Sequence, residues 1–502
     1  MDIIFISFIF SIIGSIMFWE KKLGISVMIF AAGLIYATIY ILKNNKRIEN
    51  KKAFFMIIPI MLLASTYFLF DNKFLEISNL VIIPIIYMVM IISLIGKRID
   101  NDTRFIKKIA VMYLEPIGDI GDSLNYLSEK VRERLNIKSK KDKKEKDEKD
   151  VNYLASFLKC IPIVMAILLL LVTADNEFFK LFFDIFEGFF EWLFDLELPE
   201  LSIRVFLIIL SAIYLISFFR NILSKYNILE VEEKVKNKKE KDLMTYNMLF
   251  TTLNVLYIVF CFIQIKNMIT VRSYSSDSSY SYFARKGFFQ LILVSFINLI
   301  MILKSTSKDV KINTGRKYIK VMSVIMIVCT LIILMSAFFR MNLYQEKYGY
   351  TLLRILVYYG LITEGLMLIP TTIYIFNNKL NLFKIYFIII TTTYCILNFI
   401  NIDSMIAKKN IDRYYSTGKI DIYYMNELGA DSVEQMLRLI DDPKFGEDTE
   451  TVYKAKYVRE CLKDIYAESV EDEQSMFSFN ISRNKAKRQL FLKQLVPIEY
   501  IK

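Results

Sequence analysis

The chain has 502 residues, of which 55% are hydrophobic and 15% are aromatic. This composition, with a mean hydropathy of +0.38, excludes an ordinary soluble protein. A formal net charge of +12 is common among nucleic-acid-binding proteins, but here the Lys and Arg residues lie mainly in loops between apolar runs, where anionic lipids attract them. We therefore predict a membrane protein that does not bind nucleic acid.

Eleven apolar runs have close to the length of a membrane-spanning helix, about 17 to 25 residues. The first run is among the shortest. It has no basic residue before it and no small-residue cleavage site after it, so we interpret it as a retained span rather than a signal peptide. The predicted fold class is all-α, a polytopic membrane helix bundle of about 11 spans with a small helical C-terminal extension. The runs are 3–18, 23–42, 53–70, 77–96, 154–173, 201–219, 246–265, 287–303, 318–339, 352–376 and 385–400.

Apolar spans and charged stretches divide the chain into four predicted regions. In the second region, apolar residues at helical spacing in 104–136 indicate an amphipathic helix that lies on the inner membrane surface or contacts a cytoplasmic partner. The stretch 138–150 is almost entirely Lys, Asp and Glu and is predicted to stay solvated. The regions are 1–96 (four spans), 97–150 (a basic cytoplasmic linker), 151–400 (a core of seven spans) and 401–502 (an exterior helical tail).

Two segments are predicted to form helices beside the spans. Residues 175–200 mix Phe and Leu with charged residues at three- and four-residue steps, which predicts a helix in the outer interface; a pore-lining acidic helix is the alternative. The tail is predicted to hold three amphipathic helices, one from Asp431 or Ser432 to Ile440, one from about Thr449 and one over 483–495.

Lys and Arg are concentrated in alternate loops, and cytoplasmic loops are enriched in these residues. If the N-terminus lies in the cytoplasm, the strongly basic loops at 43–52, 97–153 and 220–245 are all internal. An odd number of spans then places the tail outside. We therefore predict a multi-pass protein of the bacterial cell membrane, in contact with membrane lipids, with a cytoplasmic N-terminus and an exterior tail.

The residue types limit the chemistry. Histidine is absent from the sequence, which removes imidazole bases and the commonest zinc and iron ligands. Four of the five cysteines lie in predicted spans and Cys461 is alone in the tail, so no disulfide framework or metal site is predicted. The chain also lacks the glycine-rich phosphate loops and nucleophile motifs of common enzymes. We predict no catalytic residue, no metal and no cofactor.

Glu364 is the only acidic residue well inside a predicted span. Because burying a charge in the membrane is costly, such a residue is either functional or paired. One interpretation is a proton or cation site. The other is a structural pairing with an amide or cation on a neighbouring helix.

The turn 340–354 is rich in Arg and Tyr at a membrane boundary. Tyr344 and Tyr348 are four residues apart and share a face, and Gly349 permits a break before the next span. In one interpretation the tyrosines belong to the aromatic belt, while Arg340 and Arg354 extend to lipid headgroups. In the other, the two arginines hold a phosphate or carboxylate in an outer-leaflet pocket.

Three motifs carry a resemblance to a known family: residues 282–288 (YFARKGF), the turn 340–354, and residues 401–433. Over roughly 154–433 the chain resembles a bacterial family of polytopic membrane proteins, domain of unknown function 4173. The resemblance implies a multispan membrane fold and a family without an assigned activity. Glu364 is not among the matching positions.

The matching motifs all fall in segments predicted to lie outside, which suggests one exterior constellation. Its arginines are positively charged, and Asp403, Asp421 and Asp431 supply the opposite charge. Two interpretations stay open: a site for an anionic or lipid-linked ligand, or an ion-pair latch that docks the tail on the spans. The predicted binding residues are Arg285, Arg340, Tyr344, Tyr348, Arg354, Asp403, Asn410, Arg413 and Asp421.

These observations favour a non-enzymatic component of the bacterial envelope that senses, scaffolds or binds a ligand. A transporter or flippase for an anionic or lipid-linked substrate is the first alternative, and it requires a cavity that reaches the bilayer midplane. A histidine-independent envelope transferase with Asp or Glu as its base is the second.

Overall fold

The computed structural model describes residues 3–96, 104–134, 200–224, 243–270, 288–305, 316–377, 380–447, 449–471 and 475–495. Every element of regular structure in these ranges is a helix, so the predicted all-α class is confirmed. Several predicted features lie outside the described residues: the charged stretch 138–150, the run 154–173, the outer-interface helix up to residue 199, and Arg285.

The helices of the described residues follow the apolar runs closely. Their bounds in the first part of the chain are α1 Ile3–Phe18, α2 Ile25–Asn44, α3 Ile57–Leu69, α4 Lys73–Ile95, α5 Arg104–Gly118, α6 Ile120–Arg134 and α7 Glu200–Ser224. A 3-10 turn, Lys51–Met56, leads into α3. The remaining long apolar helices are α8 Leu243–Thr270, α9 Phe288–Ser305, α10 Arg316–Tyr348, α11 Leu352–Phe376 and α12 Leu382–Phe399.

Eight helices in the described residues are long and apolar enough to cross a membrane: α2, α3 with its preceding turn, α4, α7, α8, α10, α11 and α12. Helices α1 and α9 are apolar but shorter. A helix satisfies its backbone N–H and C=O groups internally, which lipid requires because it offers no partner. A membrane bundle of many spans is therefore the architecture.

The chain divides into two compact units, and the division runs through α3 and α4. In the first unit, which comprises Met1–Met61, Ile82–Arg98 and Thr103–Lys234, helix α7 packs against α1, α5 and α6. The contacts are partly polar: Arg204 donates to Ser15 at 2.8 Å, and Ser217 donates to the Pro116 carbonyl at 2.8 Å. The amphipathic helix predicted at 104–136 corresponds to α5 and α6.

The second unit comprises Leu62–Val81, Ile99–Asp102 and Val235–Lys502. Helix α10 is central to its core and packs against α8, α9 and α11. Ile333 and Ala337 of α10 are fully buried in this core. Amide and hydroxyl side chains join the spans as well, since Asn298 bonds both Tyr257 and Thr330 at 2.7 and 3.0 Å. Such hydrogen bonds are the usual polar contacts between helices in lipid.

The tail follows α12 directly and belongs to the second unit. Three of its helices match the predicted ones, with different ends. Its first helix begins after an Asn401 cap and ends at Gly418 in the left-handed conformation. The tail helices are α13 Ile402–Thr417, α14 Ile422–Met425, α15 Val433–Ile440, α16 Thr449–Glu471 and α17 Ile481–Leu492.

Candidate functional site

The turn between α10 and α11 packs against the first tail helix. Asn410 of α13 accepts a hydrogen bond from the Tyr350 N–H at 2.7 Å and donates to the Tyr350 carbonyl at 2.9 Å. Gly349 has a φ of +82°, and a Cβ at this position would lie 2.6 Å from Asn410 Oδ1. Both the backbone conformation and the close approach therefore require glycine here. We call the contacts of turn 340–354 with α13 and α14 the turn seam.

Arg413 caps the end of α10 from the tail. Its guanidinium donates to the Glu346 carbonyl at 3.2 Å and to the Lys347 carbonyl, which are among the last carbonyls of that helix. A third bond, of 3.2 Å, reaches the Lys419 carbonyl. A cation at a helix C-terminus is favourable because it meets the unpaired carbonyls and the negative end of the dipole. Arg413 thus stabilises α10 and fixes α13 on it.

Arg354 completes the turn from the other side. Its guanidinium carbon lies 4.5 Å from the centre of the Tyr344 ring, and it donates to the Tyr348 carbonyl at 3.1 Å and to the Gly349 carbonyl. The rings of Tyr344 and Tyr348 are 4.8 Å apart. The group is therefore a cation–π stack combined with a carbonyl cap, and its arginine is positioned by neutral partners.

Asp421 reaches the same turn through a neighbour. Its side chain accepts a bond from the Tyr424 N–H at 3.2 Å and so begins the short helix α14. The Tyr424 hydroxyl then accepts a bond from the Leu352 N–H at 2.7 Å, at the first residue of α11. Burial raises the pKa of Tyr424, so it stays a neutral hydroxyl. The start of α11 is consequently held by the tail.

Arg340 does not join the seam in the described contacts. It is 7% exposed, and it donates to Gln264 of α8 at 2.9 Å. Ser336, one turn earlier, donates to the same Gln264 oxygen at 2.8 Å. Arg340 is therefore part of a polar contact between α8 and α10 within the span.

A second group of tail contacts surrounds the turn between α3 and α4. Asp403 accepts from the Asn72 amide at 2.6 Å and from the Gly429 N–H at 3.0 Å. Asp71 accepts from the Ala430 N–H at 2.8 Å. A Cβ at Gly429 would lie 2.0 Å from the Asp71 carbonyl oxygen, so only glycine fits this approach. We call these contacts, with those of Asp431 and 480–483, the tail clasp.

Asp431 has donors on both carboxylate oxygens. One oxygen accepts from Asn401 at 2.8 Å and Ser482 at 2.6 Å, and the other accepts from the Asp71 N–H at 2.7 Å. Three helix ends therefore meet at one carboxylate. Such a network specifies a single arrangement of the tail, because any shift leaves a buried donor unsatisfied.

The last tail helix closes the clasp. Arg483 is 9% exposed and pairs with Asp71 at 2.8 Å and with Glu76 at 3.1 Å. Asn480 donates to the Tyr67 and Phe70 carbonyls at 2.9 and 2.7 Å, at the end of α3. Helix α17 is thus fastened to the end of one candidate span and the start of the next.

Burial sets the electrostatics of the clasp. It raises the pKa of Asp403 to about 7, with a smaller contribution from the negative charges of Asp431 and Asp71, although the bonds from Gly429 and Asn72 oppose it. Burial also raises the pKa of Asp431, against the bonds from Asp71, Ser482 and Asn401. The described residues hold no group of acidic or thiol side chains arranged for a metal ion.

The structure brings some of the predicted site residues together and separates others. Tyr344, Tyr348, Arg354, Asn410 and Arg413 meet in the turn seam, with Asp421 one contact away through Tyr424. Asp403 lies in the tail clasp, while Arg340 and Glu364 lie within spans.

The described contacts of Arg354 and Arg413 are with backbone carbonyls and a Tyr ring, and the three aspartates have other partners. Sequence reasoning missed the α3–α4 turn, Asn480 and Arg483. The one available signal was a polar Asp-Asn pair between two apolar runs.

A family model described as a domain of unknown function (DUF4153) matches residues 57–439, which is most of the chain. The chain belongs to this family. The family number 4173 inferred from the three motifs was therefore wrong, whereas the inference of a family without an assigned activity agrees with the match. Three short motifs were therefore not enough to identify the family. No curated protein and no solved structure matches the chain.

Proposed function

We propose that this DUF4153 family member is a non-enzymatic scaffold of the bacterial cell membrane, whose spans present the helical tail in one fixed orientation outside the cell. The tail clasp carries the proposal. Its acidic residues have their oxygens occupied by internal donors, as the contacts of Asp431 show. Carboxylates bound in this way hold neighbouring segments in one arrangement, which supports a role in assembly.

The contacts of both groups support a fixed tail. They join it to the end of α3, the start of α4, the end of α10 and the start of α11. Since α12 leads directly into α13, the tail is held at five helix ends on one face of the second unit. Surface ion pairs such as Lys485 with Glu434 add little to the stability of the docked tail, because exposed ion pairs are weak.

Thiol labelling in intact cells tests the exterior position. A Cys placed at Lys456, an exposed position of α16, is expected to react with a membrane-impermeant maleimide. The native Cys461 is the matched control: it is 4% exposed, and burial raises its pKa to about 11, so it should stay unlabelled. Labelling of Lys456→Cys only after the cells are permeabilised would place the tail in the cytoplasm and overturn the proposal.

The scaffold role itself is tested by complementation. In a strain that lacks the protein and shows an envelope defect, wild type and Lys485→Ala are expected to restore growth. Arg483→Ala, inserted at the same level but with an undocked tail, is expected to fail. Restoration by Arg483→Ala, despite protease sensitivity of its tail, would show that a docked tail is not required.

A further inference from the structure

Glu364 lies at the middle of a candidate membrane span. Helix α11 runs from Leu352 to Phe376, and Glu364 is equally far from both ends. At about 1.5 Å per residue, it is roughly 18 Å from either end. The hydrocarbon core of a bilayer is about 30 Å thick, so this carboxyl sits near the midplane.

The carboxyl is buried and incompletely bonded. Glu364 is 7% exposed, and within the part of the chain that the structure describes its Oε1 has no hydrogen-bond partner. Ser295 of α9 hydrogen-bonds the side chain. An ionised carboxylate at this depth is costly unless it is paired, whereas a protonated carboxyl is neutral.

The Ser295 hydroxyl can serve either protonation state of the carboxyl. It donates to the Ile292 carbonyl at 2.8 Å, and in that orientation its oxygen can accept a hydrogen bond from a protonated carboxyl. If the hydroxyl turns, it can donate to a carboxylate instead. Ser295 is therefore a suitable partner for a carboxyl that gains and loses a proton.

The charged residues of the helices packed against α11 lie mostly toward the helix ends. Lys304 is near the end of α9, Lys384 is near the start of α12, and the charges of α13 lie outside the spans. On α10, Arg340 is nearest in depth, and it donates to Gln264 of α8. Tyr359 on the same helix bonds Thr363 and Thr393 as a neutral phenol.

The helix leaves room beside the carboxyl. A Cβ built at Gly360, one turn before Glu364, or at Gly365 meets no atom within 4 Å. The structure thus leaves open space on α11 next to this carboxyl.

We propose that Glu364 is a proton-binding site at the centre of the membrane domain, with Ser295 as its partner. When Glu364 takes up one proton, its new O–H group donates a hydrogen bond to the Ser295 oxygen. When the proton leaves, the Ser295 hydroxyl turns and donates to the carboxylate. Reversible protonation of a single carboxyl at this depth is the coupling step that proton-driven transport uses. The site is independent of the docked tail.

Infrared difference spectra of the protein in lipid nanodiscs test the proposal. Wild type minus Glu364→Gln is expected to show the carbonyl stretch of a protonated carboxyl at neutral pH, and this band should disappear reversibly at alkaline pH. Glu346→Gln, which removes a carboxyl at the end of α10, is the matched control and should leave the band intact. Ser295→Ala is expected to keep the band but move its titration midpoint.

A carbodiimide provides a second readout on wild type alone, because it modifies protonated carboxyls in apolar surroundings. Modification of Glu364, identified by mass spectrometry, is expected at acid pH and should be lost at alkaline pH. A Glu364 that is ionised even at acid pH overturns the proposal. A Glu364 that stays protonated at every pH also overturns it, because the residue would then be purely structural. Protection by sodium or lithium would also overturn it and indicate a cation site.

Discussion

The turn seam and the tail clasp join one tail to one group of spans by different chemistry. In the turn seam, Arg354 and Arg413 meet neutral carbonyls and an aromatic ring. In the tail clasp, buried carboxylates meet backbone N–H groups, amides and the single guanidinium of Arg483. A cation on carbonyls near solvent needs no counter-charge, whereas buried acids depend on every donor around them. The clasp should therefore contribute more to tail docking than the turn seam does. It should also be more sensitive to the loss of a single side chain.

Removing Arg483 tests this difference with the largest expected effect. Arg483→Ala leaves Asp71 and Glu76 without their shared cation in a nearly buried place, which should cost about 3–5 kcal/mol. We expect a lower melting temperature in detergent and rapid protease cleavage of the tail. Lys485→Ala removes an exposed pair with Glu434 and should cost less than about 1 kcal/mol. Equal effects of the two substitutions would contradict the comparison.

The two groups should also differ in their response to pH. The pKa of Asp403 rises from its ordinary 3.8 to about 7 on folding, so the folded state holds a proton that the unfolded state has lost. Its contribution to stability is full below about pH 4 and is lost as the pH rises through 7, by at most roughly 4 kcal/mol. Tail protection from protease should fall over this range.

Asp403→Asn removes this titrating group and should weaken the pH dependence of tail protection, with Asp431 still titrating in the clasp. A wild-type tail that becomes better protected toward alkaline pH would show that Asp403 is ionised in the fold.

Glycine substitutions in the turn seam and the tail clasp should have a smaller effect on stability. Gly429→Ala places a Cβ against the Asp71 carbonyl and Gly349→Ala places one against Asn410, in addition to the φ of +82°. Each should cost about 1–3 kcal/mol through overpacking and strain. Gly121→Ala, where a Cβ meets no atom within 4 Å, is the control in α6. Thermal unfolding in detergent measures all three, and a stable Gly429→Ala variant would show that the clasp adapts.

The sequence predicts much of the fold, because hydrophobic runs set the spans directly. The three motifs and the predicted topology also placed Asn410 and Arg413 with the turn 340–354, because the motifs all fall on one predicted side of the membrane. The partners of the arginines could not be predicted in the same way. A guanidinium can donate to a backbone carbonyl as well as to a carboxylate, and every residue type carries a backbone carbonyl, so residue identity does not show this acceptor.

The clasp escaped prediction for a related reason. Asp71 and Asn72 have the composition of any short turn, and Arg483 is one of many basic residues in the tail. Nothing local connects them, because Arg483 and Asp71 are separated by 412 positions. Only packing of the tail on the spans shows that they are partners.

That separation has a consequence for how the protein is made. Chains are synthesised from the N-terminus, and early segments fold or insert before later ones exist. Helices α3 and α4 therefore enter the membrane while the helix that carries Asn480 and Arg483 has not been synthesised. During this interval the acidic turn and the last carbonyls of α3 do not yet have the partners that Asn480 and Arg483 provide. The final tail helix is thus the last element needed before these polar groups have their partners.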